Sequence, residues 1–189
     1  MGGDLTAAGF DAIDGQIVMS IHPTIFADSE SCPEVWIRVE GRGTLQNSPT
    51  LREFSRKLFE EGRRKFVVDL KNCPAMDSTF MGTLASLAMR LRDFGGGDLW
   101  VVNRNERNTE LLAGLGMDML FSNQPLASMH NGDCKEAIHH IADKAATREV
   151  IHEAHAACVA VDSRNTDKFK DVLEYLKASA ARDAAKGSA

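Results

Sequence analysis

The 189 residues suffice for one domain and an appendage, and a composition 43% hydrophobic and 26% charged can bury a sizeable core. A net charge of −5 argues against a nucleic-acid ligand, which wants a concentrated basic face. The four cysteines, Cys32, Cys73, Cys134 and Cys158, lie far apart with no C-x-x-C pair, which excludes a zinc ligand set and a secreted disulfide framework.

No apolar run approaches the roughly 20 residues needed to span a bilayer, and the N-terminus lacks a basic region followed by an apolar core. The expectation is a cytoplasmic protein with reduced thiols and no membrane contact.

Residues 1–14 carry little periodic signal and read as a tail. Residues 16–22 alternate, with Ile17, Met19 and Ile21 on one face, as a first strand. Residues 23–33, rich in Ser, Asp and Glu, read as a loop. Residues 35–40 alternate cleanly, Val35, Ile37 and Val39 inward and Trp36, Arg38 and Glu40 outward. Ser48-Pro49 predicts a helix over about 49–61 with a capping hydroxyl and Pro at its first position; Leu51, Phe54, Leu58 and Phe59 form its stripe. Arg63, Arg64 and Lys65, beside Glu60 and Glu61, read as a solvated helix end.

Residues 66–70 form an apolar strand that hands over to Met76-Asp77-Ser78-Thr79-Phe80-Met81-Gly82. A helix follows over about 79–93. Phe80, Leu84, Leu87 and Leu91 fall on one stripe, and Thr83, Ser86, Arg90 and Asp93 fall opposite. Asp77 or Ser78 is a natural N-cap, because a short oxygen-bearing side chain satisfies free first-turn N–H groups. The same N–H groups and the helix dipole favour an anion, so a hydroxyl there is well sited to carry phosphate.

Gly95-Gly96-Gly97 is a turn. Residues 99–102 form a wholly apolar strand expected to be central and buried on both faces. A short helix is expected at 106–113 and a last edge strand at 119–121. Beyond residue 133 Ala, Glu, Lys and His dominate. Helices are expected near 134–146, 148–161 and 166–182, buried through Ile138, Ile141, Ile151, Val172, Leu173 and Leu176 against each other, the α/β domain or another copy.

Strands alternating with helices predict an α/β fold, a mixed and mostly parallel sheet flanked by helices with an antiparallel entry pair. This domain occupies 15–130, and a helical C-terminal extension occupies 134–189. No nucleotide loop, G-x-S-x-G elbow or H-E-x-x-H occurs, which points to a binding protein without cofactor or catalytic residues. Glu136/His139 and Glu149/His152 are E-x-x-H pairs of the kind used in di-iron bundles, with His155 one turn on. They lie only 13 positions apart and lack partner glutamates from other helices, so they read as solvated helix histidines.

The element order, Gly43-Thr44-Leu45 before the first helix and Asp77-Ser78-Thr79 at the second resemble the STAS domain of bacterial anti-sigma factor antagonists. The family motif is Asp-Ser-Ser/Thr-Gly-Leu-Gly, with the serine after Asp as phosphoacceptor. The resemblance places that role on Ser78, with Thr79 as the lesser candidate. It implies partner binding through Asp77, Ser78, Thr79, Met81 and Gly82. Where the family often has Gly-x-Leu-Asp, this chain has Gly43-Thr44-Leu45-Gln46, and the acidic group is missing.

The implied function is a phosphorylation-switched antagonist that sequesters an anti-sigma factor serine kinase, frees a sigma factor and is reset by a phosphatase. The alternative is a non-phosphorylated structural STAS subunit or scaffold. The C-terminal helices would then assemble it, a homodimer through them being one form. On the first reading Ser78 stays solvent-accessible, and Phe80 and Met81 are docking surface if exposed or core if not.

Overall fold

A computed structural model describes residues 17–19, 24–28, 34–122, 135–136 and 142–187. The strands are β1 (Ile17–Met19), β2 (Thr24–Asp28), β3 (Val35–Glu40), β4 (Lys65–Asn72), β5 (Asp98–Val102) and β6 (Lys135–Glu136). The helices are α1 (Ser48–Glu60), α2 (Ser78–Gly95), α3 (Glu106–Ala113), α4 (Lys144–Val161) and α5 (Thr166–Gly187). The sheet order is β1-β6-β2-β3-β4-β5. β3, β4 and β5 run parallel, with Ile37 opposite Val68 and Val68 opposite Val101. β1, β2 and β6 pair antiparallel, and β2 joins β3 antiparallel. The expected mixed α/β sheet flanked by helices is therefore present.

Period-two alternation sends Val35, Ile37, Val39, Phe66, Val68 and Leu70 to one face, where they meet Leu51, Phe54 and Leu58 of α1 and Phe80, Leu84 and Leu91 of α2. Trp36, Val67 and Trp100 form a smaller cluster on the other face. Trp36, expected to face outward, is thus buried among apolar neighbours.

Several expectations are corrected. Residues 24–28 are a strand, not loop: their short apolar run shows no alternation, but β1 and β3 supply backbone partners on both sides. β5 is an edge strand rather than a central one. Its apolar character reflects burial of its faces, and the Ser122 N–H donates to the Leu99 carbonyl at 2.8 Å beside it. No strand forms at 119–121; left-handed Gly116 (φ 69°) turns the chain into a 3-10 turn, Met117–Met119, which buries Met117 and exposes Met119. Residues 135–136 are strand rather than helix, pairing with β1 and β2. At α1 the cap position is Asn47 without a side-chain cap bond, and the Ser48 hydroxyl donates to the Thr44 carbonyl at 2.9 Å instead. Arg64 is not merely solvated, since its guanidinium lies 4.1 Å from the Phe59 ring centroid. Cys32, Cys134, Ile138, His139 and Ile141 lie outside the described residues.

The C-terminal helices form a further layer. α4 lies along α2, and α5 packs back on α4. Val150, Ala154, Ala157 and Cys158 are buried from α4, and Phe169 and Leu176 from α5. Asn165 stitches the turn between them, donating to the Leu115 and Cys158 carbonyls at 2.9 Å each.

Candidate functional site beneath the fourth helix

Asp77 builds the site. Its backbone is extended (φ −91°, ψ 171°), the usual conformation of an N-cap. One carboxylate oxygen accepts from the Phe80 N–H and the other from the Leu45 N–H, each at 2.8 Å. A single side chain therefore caps α2 and anchors the loop before α1. The Asp77 N–H donates to the Gly43 carbonyl at 2.8 Å, and Gly43 bridges Met76 in parallel fashion. A methyl group on Gly43 would overlap the Phe80 ring, which accounts for a glycine at that position.

Ser78 is the first residue of α2 and is half-buried. Its Oγ lies 3.0 Å from Nε2 of His155 on α4. Thr79, Met81 and Gly82 are buried, as is Phe80. A Cβ on Gly82 would overlap the backbone carbonyl of Ala154, so the glycine lets α4 approach α2 at backbone distance. Thr83 is also buried, its hydroxyl donating to the Thr79 carbonyl at 2.8 Å. The polar side of α2, read from sequence as facing away from the core, is the face that α4 covers.

His155 is 6% exposed and stacks on Phe169, with ring centroids 4.7 Å apart and planes 25° apart. It is not a solvated helix histidine. Burial holds its pKa below the ordinary value, against the opposing pull of the Asp77 carboxylate and the Ile151 carbonyl. Among the described residues no side chain pairs with Nδ1. A serine beside a histidine is the geometry of an activated nucleophile, but among the described residues no third side chain orients the imidazole. The thiol of Cys158, one turn on, lies 3.9 Å from the Ser78 carbonyl, and burial pushes its pKa up to about 12.

The rim of the contact is charged. Arg52 of α1 donates to Glu153 at 2.6 Å and to Glu149 at 2.9 Å, both on α4. The Ser86 hydroxyl donates to the second Glu153 oxygen at 2.6 Å, and Arg90 stands 3.7 Å from it. Burial would raise the Glu153 pKa, but the Ser86 and Arg52 hydrogen bonds and the arginine charges outweigh it and hold the carboxyl low. On the other flank, an open groove beside Ser78 is lined by Met81, Arg107, Glu110, Leu111, Gly114 and Leu115.

A STAS domain family model matches residues 17–131. The chain belongs to the STAS domain family. Among solved structures, it is similar to a Thermotoga maritima protein provisionally assigned as an anti-sigma factor antagonist, with 15% identity, a TM-score of 0.47, and coverage of 51% of this chain and 82% of that one. No curated protein matches the chain. Among the described residues, no helix is long and apolar enough to cross a membrane.

The STAS match ends before α4, yet α4 supplies His155, Ala154, Glu149 and Glu153 to the site. Sequence reasoning missed these residues. A signal existed: His155 follows Ala154 and shares a helix face with Ile151 and Cys158, so it lies on the margin of an apolar stripe rather than opposite it.

Proposed function

We propose that this chain is a cytoplasmic bacterial anti-sigma factor antagonist that works by binding, with Ser78 as phosphoacceptor and Thr79 as the lesser candidate. The observation that carries the reading is the position of the Ser78 hydroxyl on the first turn of α2, directly after the Asp77 cap. A phosphate there meets the positive end of the helix dipole. Arg107, which lines the same groove, is a cation within the site's surroundings.

Unmodified, the region of Asp77, Ser78, Thr79, Met81 and Gly82 is the contact for an anti-sigma factor serine kinase, which is thereby kept from its sigma factor. Phosphorylation adds about −1.5 to −2 charge at pH 7, and like charge across an interface expels the partner without refolding either protein. A phosphatase resets the cycle. Met81, 3% exposed and part of the core cluster, contributes to the contact only where its own packing opens. The test is phosphopeptide mapping after incubation with ATP and the kinase co-purified from the source cells. Label on Ser78 is expected; label confined to peptides without residues 77–79 refutes the assignment.

A second reading is favoured by one observation: Ser78 is engaged by His155, and Thr79, Met81 and Gly82 are covered. On that reading the chain is a structural STAS subunit without a phosphorylation cycle. A homodimer would use α5, where Tyr175 is 64% exposed, because Phe169 and Leu176 are already buried within the chain and Val172 and Leu173 are packed partly against its core. Intact mass of the protein from its own cells separates the two, since only the switch gives a species heavier by one phosphate.

A further inference from the structure

The face of α1 and α2 beneath α4 is shaped for a helix. Gly82 leaves room for a backbone, and Ala154, 1% exposed, sits over it. Ala157 and Cys158 continue the small-residue stripe of α4, 7% and 0% exposed. At the rim, Arg52 and Arg90 face Glu149 and Glu153. The buried surface is thus closely approached at Gly82 and cationic at its edge.

We propose that this face is the chain's docking surface, that α4 is its built-in occupant, and that the external partner brings a helix of the same design, with small residues along its contact stripe and acidic residues at its rim. The inference rests on the reading of the Ser78 region as a partner contact. One steric fact makes occupancy exclusive. A second helix cannot approach Gly82 while the Ala154 carbonyl stands there. A phosphate on Ser78 would break the 3.0 Å contact of its hydroxyl oxygen with the His155 Nε2. Docking on this face therefore requires α4 to lift, and modification of Ser78 removes one of the bonds that hold it down.

The test uses the full chain and a fluorescent peptide of residues 144–161 as a stand-in for the partner helix. Ala154→Arg places a side chain where there is no room and displaces α4 while leaving the α2 face unaltered. Maleimide labelling of Cys158, mapped by peptide mass spectrometry, should accelerate about tenfold or more, because protection reports local opening. The peptide should then bind Ala154→Arg but not the wild type. A peptide carrying Glu149→Lys and Glu153→Lys should not bind.

Gly82→Ala should also expose Cys158, yet leave the face unable to take the peptide. If Ala154→Arg loses its cooperative melt, the chain with Glu149→Lys and Glu153→Lys opens the same contact by charge repulsion and receives the unmodified peptide. Cys158 still protected in these variants, or an opened chain that fails to bind the peptide, overturns the proposal. If the opened chain binds the peptide while phosphopeptide mapping finds no label on Ser78, the phosphoswitch falls and the helix-docking face stands.

Discussion

The Ser78 Oγ and the His155 Nε2 meet at 3.0 Å across 77 positions of chain, joining the first turn of a STAS helix to a helix outside the family match. The imidazole is buried, whereas the hydroxyl is half-buried beside an open groove. Removing Ser78 strands the imidazole nitrogen, and an unsatisfied buried polar group costs about 1–3 kcal/mol. Ser78→Ala should fold, with a loss toward the low end of that range. His155→Ala should cost about 2–3 kcal/mol, because its stacking on Phe169 goes as well. The double variant should be less destabilised than the sum, by about 0.5–1.5 kcal/mol. Urea unfolding of the four proteins checks this; strict additivity would show that the two side chains do not interact.

Asp77 should be the more sensitive neighbour. Ser78 carries one hydrogen bond to α4, whereas Asp77 holds two backbone N–H groups, one in the first turn of α2 and one in the loop before α1. Loss of an ordinary cap costs about 1 kcal/mol. Asp77→Ala should cost about 2–3 kcal/mol, since the Leu45 N–H is also abandoned. Asp77→Asn retains one acceptor oxygen and should lose roughly half as much. Thermal melts of both variants beside Asp143→Ala, which removes a cap on α4 that accepts from the Ala146 N–H, give the comparison.

Arg52 is the cation that binds α4 to α1. Its side chain is 19% exposed and contacts Glu53, Glu149 and Glu153. Breaking a fully buried pair costs about 3–5 kcal/mol; with this residual exposure, Arg52→Ala should cost about 1–3 kcal/mol. Arg56 pairs with Glu53 and Glu60 at the surface, its side chain 43% exposed, and Arg56→Ala should cost under about 1 kcal/mol. Chemical denaturation distinguishes them, and equal losses would show that the α4 carboxylates contribute nothing through Arg52.

How far these residues were legible from sequence differs by element. The α2 stripe, Phe80 to Leu91, and the α3 span were legible because a 3.6-residue period carries its own evidence of burial. The Asp77 cap was legible from chemistry local to three residues. The role of α4 was not. Ala154 and Gly82 are small, and nothing in either segment alone says that one backbone lies against the other. Thr83, Ser86 and Arg90 read as a water-facing side because polar residues satisfy water and a polar helix rim equally well. β5 read as central because apolarity records burial of faces, not the number of hydrogen-bonded neighbours.

Acid should loosen α4 in two stages. His155 has a pKa held below its ordinary 6.5 by burial, so the unfolded chain binds its proton first as pH falls. Its contribution to stability is complete above pH 6.5 and declines below that value, until the folded form is protonated too. The charged group facing it from α2 is Asp77, which opposes the decline without cancelling it; Ser78 and Phe169 do not titrate in this range. Glu153 is held below its ordinary 4.5, despite the opposing effect of burial, by Ser86, Arg52 and Arg90. Its contribution is complete above pH 4.5 and is lost only as pH falls through the lower folded value. Wild type should therefore lose melting temperature from about pH 6.5 downward, with a second fall below about pH 4.5. In His155→Gln the first decline should shrink while the second remains, and in Glu153→Gln the reverse should hold. Melting curves of the three proteins between about pH 8 and pH 4 decide it. A His155→Gln profile parallel to wild type between pH 6.5 and 4.5 would show that the imidazole does not titrate against the fold.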